Sequence, residues 1–270
     1  MKFLTAIQLY SVRDEMAKSV ENTLKAVKEM GYDGVEFAGL FGKSAAEMKA
    51  LCEEIGLVPI SAHVPYVDLI NDLSLLETYA EIGCRFVVVP YLVEEYRPGN
   101  PRFAEIPEGL KIIGAKAKEL GLTLGYHNHD FEFVKLGDKW GLDVIFEEVP
   151  ADLLETELDT CWVRVGGEDP AAYVTKYAGR CTLLHLKDYV GQKARNMYNL
   201  IGLDEHEEKK ADAQEFEFRP VGMGVQDFPA ILAAAEQAGT EWIIVEQDRP
   251  SLGLTPMQCA RASITYLKGL

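Results

Sequence analysis

Positive charge is scarce in this sequence: Lys and Arg number 27 against 43 Asp and Glu, a formal net charge of −16. Such a surface repels nucleic-acid phosphates and anionic lipid unless a local basic patch intervenes. The densest basic pair, Lys209-Lys210, directly follows Asp204-Glu205-His206-Glu207-Glu208, so no such patch is expected. Nucleic acid and membrane surfaces are excluded as expected partners. Cysteine is sparse as well. Cys52, Cys84, Cys161, Cys181 and Cys259 are odd in number, widely spaced and form no Cys-x-x-Cys pair. That pattern is neither a disulfide framework nor a zinc finger, and reads as reduced thiols of the cytosol. No apolar run reaches the roughly 18 residues of a membrane span. The opening Met1–Ile7 is too short for a signal-peptide core before it meets Gln8, Arg13 and Asp14. A cytoplasmic protein is the expectation.

What is present is a repeating unit. A helical stretch ends in an apolar residue and Gly, and a β-branched run follows, at Met30-Gly31, Ile55-Gly56, Ile82-Gly83, Leu120-Gly121, Ala178-Gly179 and Ala238-Gly239. Gly just past a helix takes the left-handed conformation that other residues reach only at a cost. The pattern predicts strands at 3–10, 33–37, 57–63, 85–91, 122–129, 153–159, 181–187 and 241–246. Helices are expected near 19–30, 44–55, 71–82, 104–120, 141–148, 169–178, 227–238 and 256–267, with apolar residues at three- and four-residue spacing. Strict alternation without a linker predicts an α/β fold in one domain spanning 1–270, a closed (β/α)8 barrel. A charged insertion near 189–219 follows strand seven. A doubly wound sheet would need a Gly-rich nucleotide turn, which is lacking.

Catalytic groups of such barrels come from the C-terminal strand ends. Here those ends are polar: Gln8, Glu36, His63, the run Tyr126-His127-Asn128-His129-Asp130-Phe131-Glu132, Asp159, His185, Lys187, Glu246 and Asp248. Period-two alternation puts His127 with His129, His185 with Lys187, and Glu246 with Asp248 on shared strand faces. Carboxylates and an imidazole converging on one spot require a cation among them. Glu132, Asp159, His185 and Glu246, one from each of strands five to eight, form the expected metal set. Without a thiolate, that set suits Mn²⁺, Mg²⁺, Co²⁺ or Zn²⁺.

The motifs Ile7-Gln8-Leu9-Tyr10-Ser11-Val12-Arg13-Asp14, Tyr126-His127-Asn128-His129 with Glu132-Phe133, Leu158-Asp159-Thr160, His185-Leu186-Lys187-Asp188, Val221-Gly222-x-Gly224-Val225 and Val245-Glu246 run the length of the chain. In that order they resemble the sugar phosphate isomerase/epimerase family, of the xylose-isomerase-like TIM barrel superfamily. The resemblance implies one divalent metal held by Glu132, Asp159, His185 and Glu246, and a carbohydrate substrate. It departs at Cys161, where relatives commonly carry Gly. It also departs at the Tyr-His-Asn-His signature, which stands in place of the strand-five glutamate of ketose epimerases. His127 is the alternative ligand at that strand, leaving Glu132 behind it or on the substrate.

A metal chelated by adjacent oxygens of a keto sugar acidifies the C–H between them by stabilising an enediolate. Glu132 and Glu246 are the expected acid/base pair, and Lys187 the oxyanion partner or an ion-pair partner of Asp159 or Asp188. Gln8, His63, His127, His129 and Trp162 are the expected substrate contacts. Gly222-Met223-Gly224 is either a phosphate cradle of backbone amides or a turn into the next helix. Isomerisation or epimerisation of a ketose is the first expectation. A lyase or dehydratase acting on an inosose or 3-keto sugar or glycoside is the second, and a non-catalytic sugar-binding barrel the third. Self-association into a homo-oligomer is compatible with each.

Overall fold

The computed structural model describes residues 2–193 and 216–270. Eight parallel strands, β1 (Leu4–Gln8), β2 (Gly34–Phe37), β3 (Val58–His63), β4 (Phe86–Val89), β5 (Thr123–His127), β6 (Glu155–Asp159), β7 (Leu183–Leu186) and β8 (Trp242–Val245), close into a barrel in sequential order. The β1–β8 seam pairs Leu4 with Trp242 and Ile7 with Val245. Every expected strand is present, trimmed at its ends. The single-domain (β/α)8 TIM barrel read from the alternation is the observed architecture.

The helices are α1 (Arg13–Lys18), α2 (Val20–Met30), α3 (Ala45–Ile55), α4 (Tyr66–Asn71), α5 (Leu75–Ile82), α6 (Ile106–Glu119), α7 (Gly141–Glu148), α8 (Thr160–Val165), α9 (Pro170–Lys176), α10 (Phe228–Ala238) and α11 (Pro256–Lys268). Gly31 and Gly239 end α2 and α10 at φ +98° and +84°, the left-handed turn that swings the chain into the next strand. The helix expected at 71–82 begins later, because the Asp72 carboxylate accepts from Ser74 N and Oγ and fixes a turn before α5.

Alternation divides the strands into two faces. Outward residues such as Val35, Val87, Leu124 and Leu184 join the helices in the main core. Inward residues Ala6, Ile60, Phe86, Val88, Leu183, Trp242 and Ile244 form a separate apolar plug inside the barrel. A Cβ on Gly34 would stand 2.6 Å from Val58 O and 2.9 Å from the Trp242 ring, so this inward position is bare to admit the indole. Trp242 is therefore a packing residue. Above the plug the inward positions turn polar.

The described ends of the insertion form a two-stranded antiparallel ribbon, Asp188–Val190 against Glu217–Arg219. Positions 194–215 of the expected insertion, His206 included, lie outside the described residues.

Candidate active site

At the C-terminal mouth, His127 (β5), Asp159 (β6), His185 (β7) and Glu246 (just past β8) each offer one ligand atom, all within 4.8 Å of one another. The four are buried. Asp159 shows how the local sequence aims its side chain. Its Oδ1 accepts from Trp162 N at 3.0 Å and caps α8, which fixes the rotamer. Its Oδ2 has no hydrogen-bond partner among the described residues. That oxygen faces Lys187 Nζ at 3.4 Å and His127 Nε2 at 3.7 Å. Asn128 staples the two strands: its Oδ1 accepts from Asp159 N at 3.0 Å. A buried carboxylate oxygen without a hydrogen-bond partner is costly unless a cation meets it. Two carboxylates and two imidazoles around it fit a divalent ion.

Lys187, 1% exposed, projects into the same layer. Its Nζ lies 2.9 Å from Glu246 Oε2 and 2.9 Å from Asp248 Oδ2. Burial opposes ionisation of Glu246, but Lys187 and His185 outweigh it and hold the carboxyl low. For Asp248 burial dominates, and the carboxyl is pushed up to about 6 despite Lys187. Burial likewise opposes charge on His185, yet Glu157 and Glu36 carry it up to about 10. The pocket thus attracts positive charge. Burial pushes His127 and His129 well down, so both are neutral imidazoles.

A second carboxylate layer lies one step deeper in the barrel. Glu157 Oε2 is 2.7 Å from His63 Nε2, 3.2 Å from His127 Nδ1 and 3.3 Å from His185 Nε2. Glu36 Oε1 accepts from Gln8 Nε2 at 2.8 Å and faces His185 Nε2 at 2.8 Å; its Oε2 accepts from Ser61 Oγ at 2.6 Å. His63, His127, Glu157 and His185 form another group with metal-ligand spacing. Sequence reasoning placed Glu36 among the polar strand ends and missed Glu157. Period two along Glu155-Thr156-Glu157-Leu158-Asp159 puts Glu157 inward beside Asp159, which was the available signal.

A cavity of about 360 Å³ opens over the upper layer, lined by His63, His127, His129, Lys187, Glu246 and Asp248 among others. Of the expected substrate contacts, His63, His127 and His129 reach it. Gln8 does not, because its amide donates to Glu36 and its Oε1 accepts from Tyr10 N. Trp162 is fully buried behind His129, stacked on it at 5.2 Å between ring centroids. Phe131 also stacks on His129, at 5.3 Å between ring centroids.

The structure does not bring Glu132 into the ligand group. Its Oε1 accepts from Tyr126 Oη at 2.6 Å and its Oε2 from His129 N at 2.9 Å. Tyr126 belongs to the outer core between barrel and helices, so Glu132 is tied behind β5. Burial pushes its carboxyl up to about 8. The strand-five donor in the group is His127.

The Gly222-Met223-Gly224 segment is a turn around an internal anion. Asp188 Oδ2 accepts from Gly222 N at 3.1 Å and Gly224 N at 2.8 Å; Oδ1 accepts from Tyr189 N at 2.9 Å and Gln226 N at 3.2 Å. A Cβ on Gly224 would stand 2.2 Å from Asp188 Oδ1, so only Gly lets the carboxylate in. The amides that would hold a phosphate are therefore taken. The nearby cations are engaged as well, Lys187 by three carboxylates and Arg219 by Glu217.

Residues 24–270 match the sequence profile of the family described as xylose isomerase-like TIM barrel. The inosose dehydratase of Geobacillus kaustophilus is 25% identical over 276 residues, covering 93% of this chain and 87% of that protein. A solved sugar phosphate isomerase/epimerase from Parabacteroides distasonis aligns with a TM-score of 0.76 at 21% identity, over 99% of this chain and 94% of that one. The IOLI protein, solved with a zinc atom bound, aligns with a TM-score of 0.73 at 16% identity, over 100% of this chain and 97% of that one. At those identities the structural likenesses establish the fold. Through a profile match that begins at residue 24 and runs to the last residue, this chain belongs to the xylose isomerase-like TIM barrel family.

Proposed function

We propose that this barrel is a metal-dependent lyase that dehydrates an unphosphorylated keto-polyol of the inosose or 3-keto-sugar type. The observation that carries the reading is the four-residue group His127, Asp159, His185 and Glu246, whose Asp159 Oδ2 accepts no hydrogen bond from the described residues, beside a polyol-sized cavity that His127 and Glu246 line. These four side chains would hold the ion. With two imidazoles in place of one, the set favours Zn²⁺, Mn²⁺ or Co²⁺ over Mg²⁺; the zinc of the IOLI protein accords with that. When bound, the ion polarises the substrate carbonyl and acidifies the adjacent C–H.

The chain's own residues divide the remaining work. Past the end of β8, Asp248 is a cavity carboxylate outside the ligand set and takes the proton from carbon. Lys187, held at 2.9 Å by both Glu246 and Asp248, faces the oxygen on which negative charge develops. His63, also lining the cavity, rests on Glu36 and Glu157 at 3.0 and 2.7 Å and donates a proton to the departing β-hydroxyl, which leaves as water. His129, stacked with Phe131 and Trp162, contacts a substrate hydroxyl. The Asp188-filled turn supports an uncharged substrate, and so does the relationship to an inosose dehydratase.

Epimerisation or isomerisation of a ketose is the second reading. It is favoured by the same pair of groups, since an imidazole and a carboxylate lining one cavity can remove a proton and return it. Purified protein with Mn²⁺, an inosose and a panel of ketoses in D₂O separates the two by NMR. A dehydrated product supports the lyase. Recovered deuterated sugar or its epimer refutes it in favour of the second reading, and silence across the panel refutes both.

A further inference from the structure

Two imidazoles of the upper group stand between carboxylates above and below, His127 between one and one, His185 between one above and two below. His127 has Nε2 3.7 Å from Asp159 and Nδ1 3.2 Å from Glu157. His185 has Nδ1 3.3 Å from Glu246, while its Nε2 lies 2.8 Å from Glu36 and 3.3 Å from Glu157. A neutral imidazole carries one N–H, and an ionised carboxylate only accepts. Whichever nitrogen holds the proton, the other is the metal donor, and the hydrogen bond made by the first decides which.

We infer that Glu157 and Glu36 are positioning residues that lock the two ligand histidines in opposite tautomers, His127 meeting the metal through Nε2 and His185 through Nδ1. The inference rests on the proposed metal set and specifies how it is built. The lower carboxylates suit this role because both are fully buried and neither lines the cavity. Glu36 is itself anchored, by Gln8 on one oxygen and Ser61 on the other. That gives Gln8 a task at the end of β1 without substrate contact. Of the upper carboxylates, Glu246 lines the cavity, and Asp159 Oδ2 accepts no hydrogen bond from the described residues that a metal would displace. His127 and His185 therefore direct their N–H groups down and their lone pairs up. The alternative group, His63, His127, Glu157 and His185, would bind metal through the opposite nitrogens, Nδ1 of His127 and Nε2 of His185. The identity of the metal-bound nitrogens therefore discriminates the two arrangements.

The test loads uniformly ¹⁵N-labelled protein with Zn²⁺ and reads the imidazole nitrogens by long-range ¹H–¹⁵N correlation. His127 is expected to keep a proton on Nδ1 with a metal-shifted Nε2, and His185 the reverse. Zn²⁺ affinity, measured by competition with a chromophoric chelator, is expected to fall about 10–100-fold in E157Q and in E36Q, each checked for native near-UV dichroism. A role confined to packing would lower the melting temperature and leave the affinity and nitrogen assignments in place, which overturns the inference. Metal on His127 Nδ1 or His185 Nε2 overturns it too. If a variant does not fold, the wild-type spectrum still decides. Failure of the wild type to take up Zn²⁺ overturns the metal site itself, a result distinct from the others.

Discussion

Replacing Asp188 by Asn tests whether a fixed internal anion organises the loop before α10. The change keeps the shape of the side chain but leaves one oxygen where there were two. In the structure each oxygen accepts two main-chain N–H groups, Tyr189 and Gln226 on Oδ1, Gly222 and Gly224 on Oδ2. However the Asn amide flips, its NH₂ points at two N–H donors that lose their acceptor. Hydrogen bonds to a charged group contribute about 1.5–3 kcal/mol each, so losing two predicts a destabilisation of about 3–6 kcal/mol. At about 2–4 °C per kcal/mol for a chain of this size class, the melting temperature falls by roughly 6–24 °C. Asp188→Ala goes further and leaves the four amides around a space of carboxylate size. Formate or inorganic phosphate at tens of millimolar is then expected to raise the melting temperature of the Ala variant but not of the wild type. Urea unfolding and thermal melts with and without the anions measure both effects. An Asn variant within 1 kcal/mol of wild type, or phosphate that stabilises wild type and Ala variant alike, refutes the anion-filled turn and the uncharged substrate argued from it.

The same structure predicts three further outcomes. Burial raises the folded-state carboxyl of Glu132 to about 8, so the native state binds this proton more tightly than the unfolded chain does. Its stabilising contribution is full below about pH 4.3, the unfolded value, and is lost as pH rises through 8, a swing of about 4–5 kcal/mol. Glu132→Gln is expected to flatten the unfolding free energy between pH 5 and pH 8 relative to wild type, and parallel profiles would falsify the buried-acid assignment. Gly34→Ala forces a Cβ to 2.6 Å from Val58 O and 2.9 Å from the Trp242 ring, and is expected to cost about 1–3 kcal/mol by overpacking; a neutral result in urea removes the reason given for that glycine. Zn²⁺ or Mn²⁺ at one hundred times its dissociation constant is expected to add about 2.7 kcal/mol of stability to the wild type and much less to His185→Ala. Equal melting shifts in the two proteins rule out His185 as a ligand.

The barrel was legible because its punctuation is local. A Gly after an apolar helix end and a β-branched run two or three residues later state the αβ turn in adjacent residues. Gly31 and Gly239 adopt the left-handed conformation expected of them. The top layer was legible for a related reason, since inward positions of a strand recur at period two and a polar residue there contradicts the apolar plug below. The same rule reaches Glu157, which follows Glu155 and precedes Asp159 on one face, and whose side chain meets His63, His127 and His185. It was passed over because apolar side chains are expected below the mouth, whereas here the apolar plug stops lower. Asp188 reads in the sequence only as a candidate ion-pair partner of Lys187, and its place among four amides does not show there. Three of its four partners lie 34 to 38 residues away across the insertion, and nothing local marks a carboxylate as the occupant of an amide nest.

Glu132 marks the limit of periodicity. Within β5, alternation sends Tyr126 outward to the helices and His127 inward to the mouth, and the structure keeps to it. Beyond His127 the strand has ended, so counting residues no longer says which side of the wall a side chain is on. The loop here doubles back: the main-chain N–H of His129 and the hydroxyl of the outward Tyr126 capture the two Glu132 oxygens separately. A carboxylate so held cannot also reach a metal among His127, Asp159, His185 and Glu246 without giving up both bonds. Its capture does two things for the mouth. It pins the backbone of His129, whose ring then stacks with Phe131 and Trp162 at the cavity wall. It also leaves the strand-five place in the ligand group to an imidazole, which changes the donor set and brings in the deeper carboxylates that an imidazole requires for its second nitrogen. The Tyr-His-Asn-His signature and the Glu36–Glu157 layer are thus two parts of one arrangement, and a barrel with a carboxylate at the position of His127 would lack the N–H that Glu157 faces here.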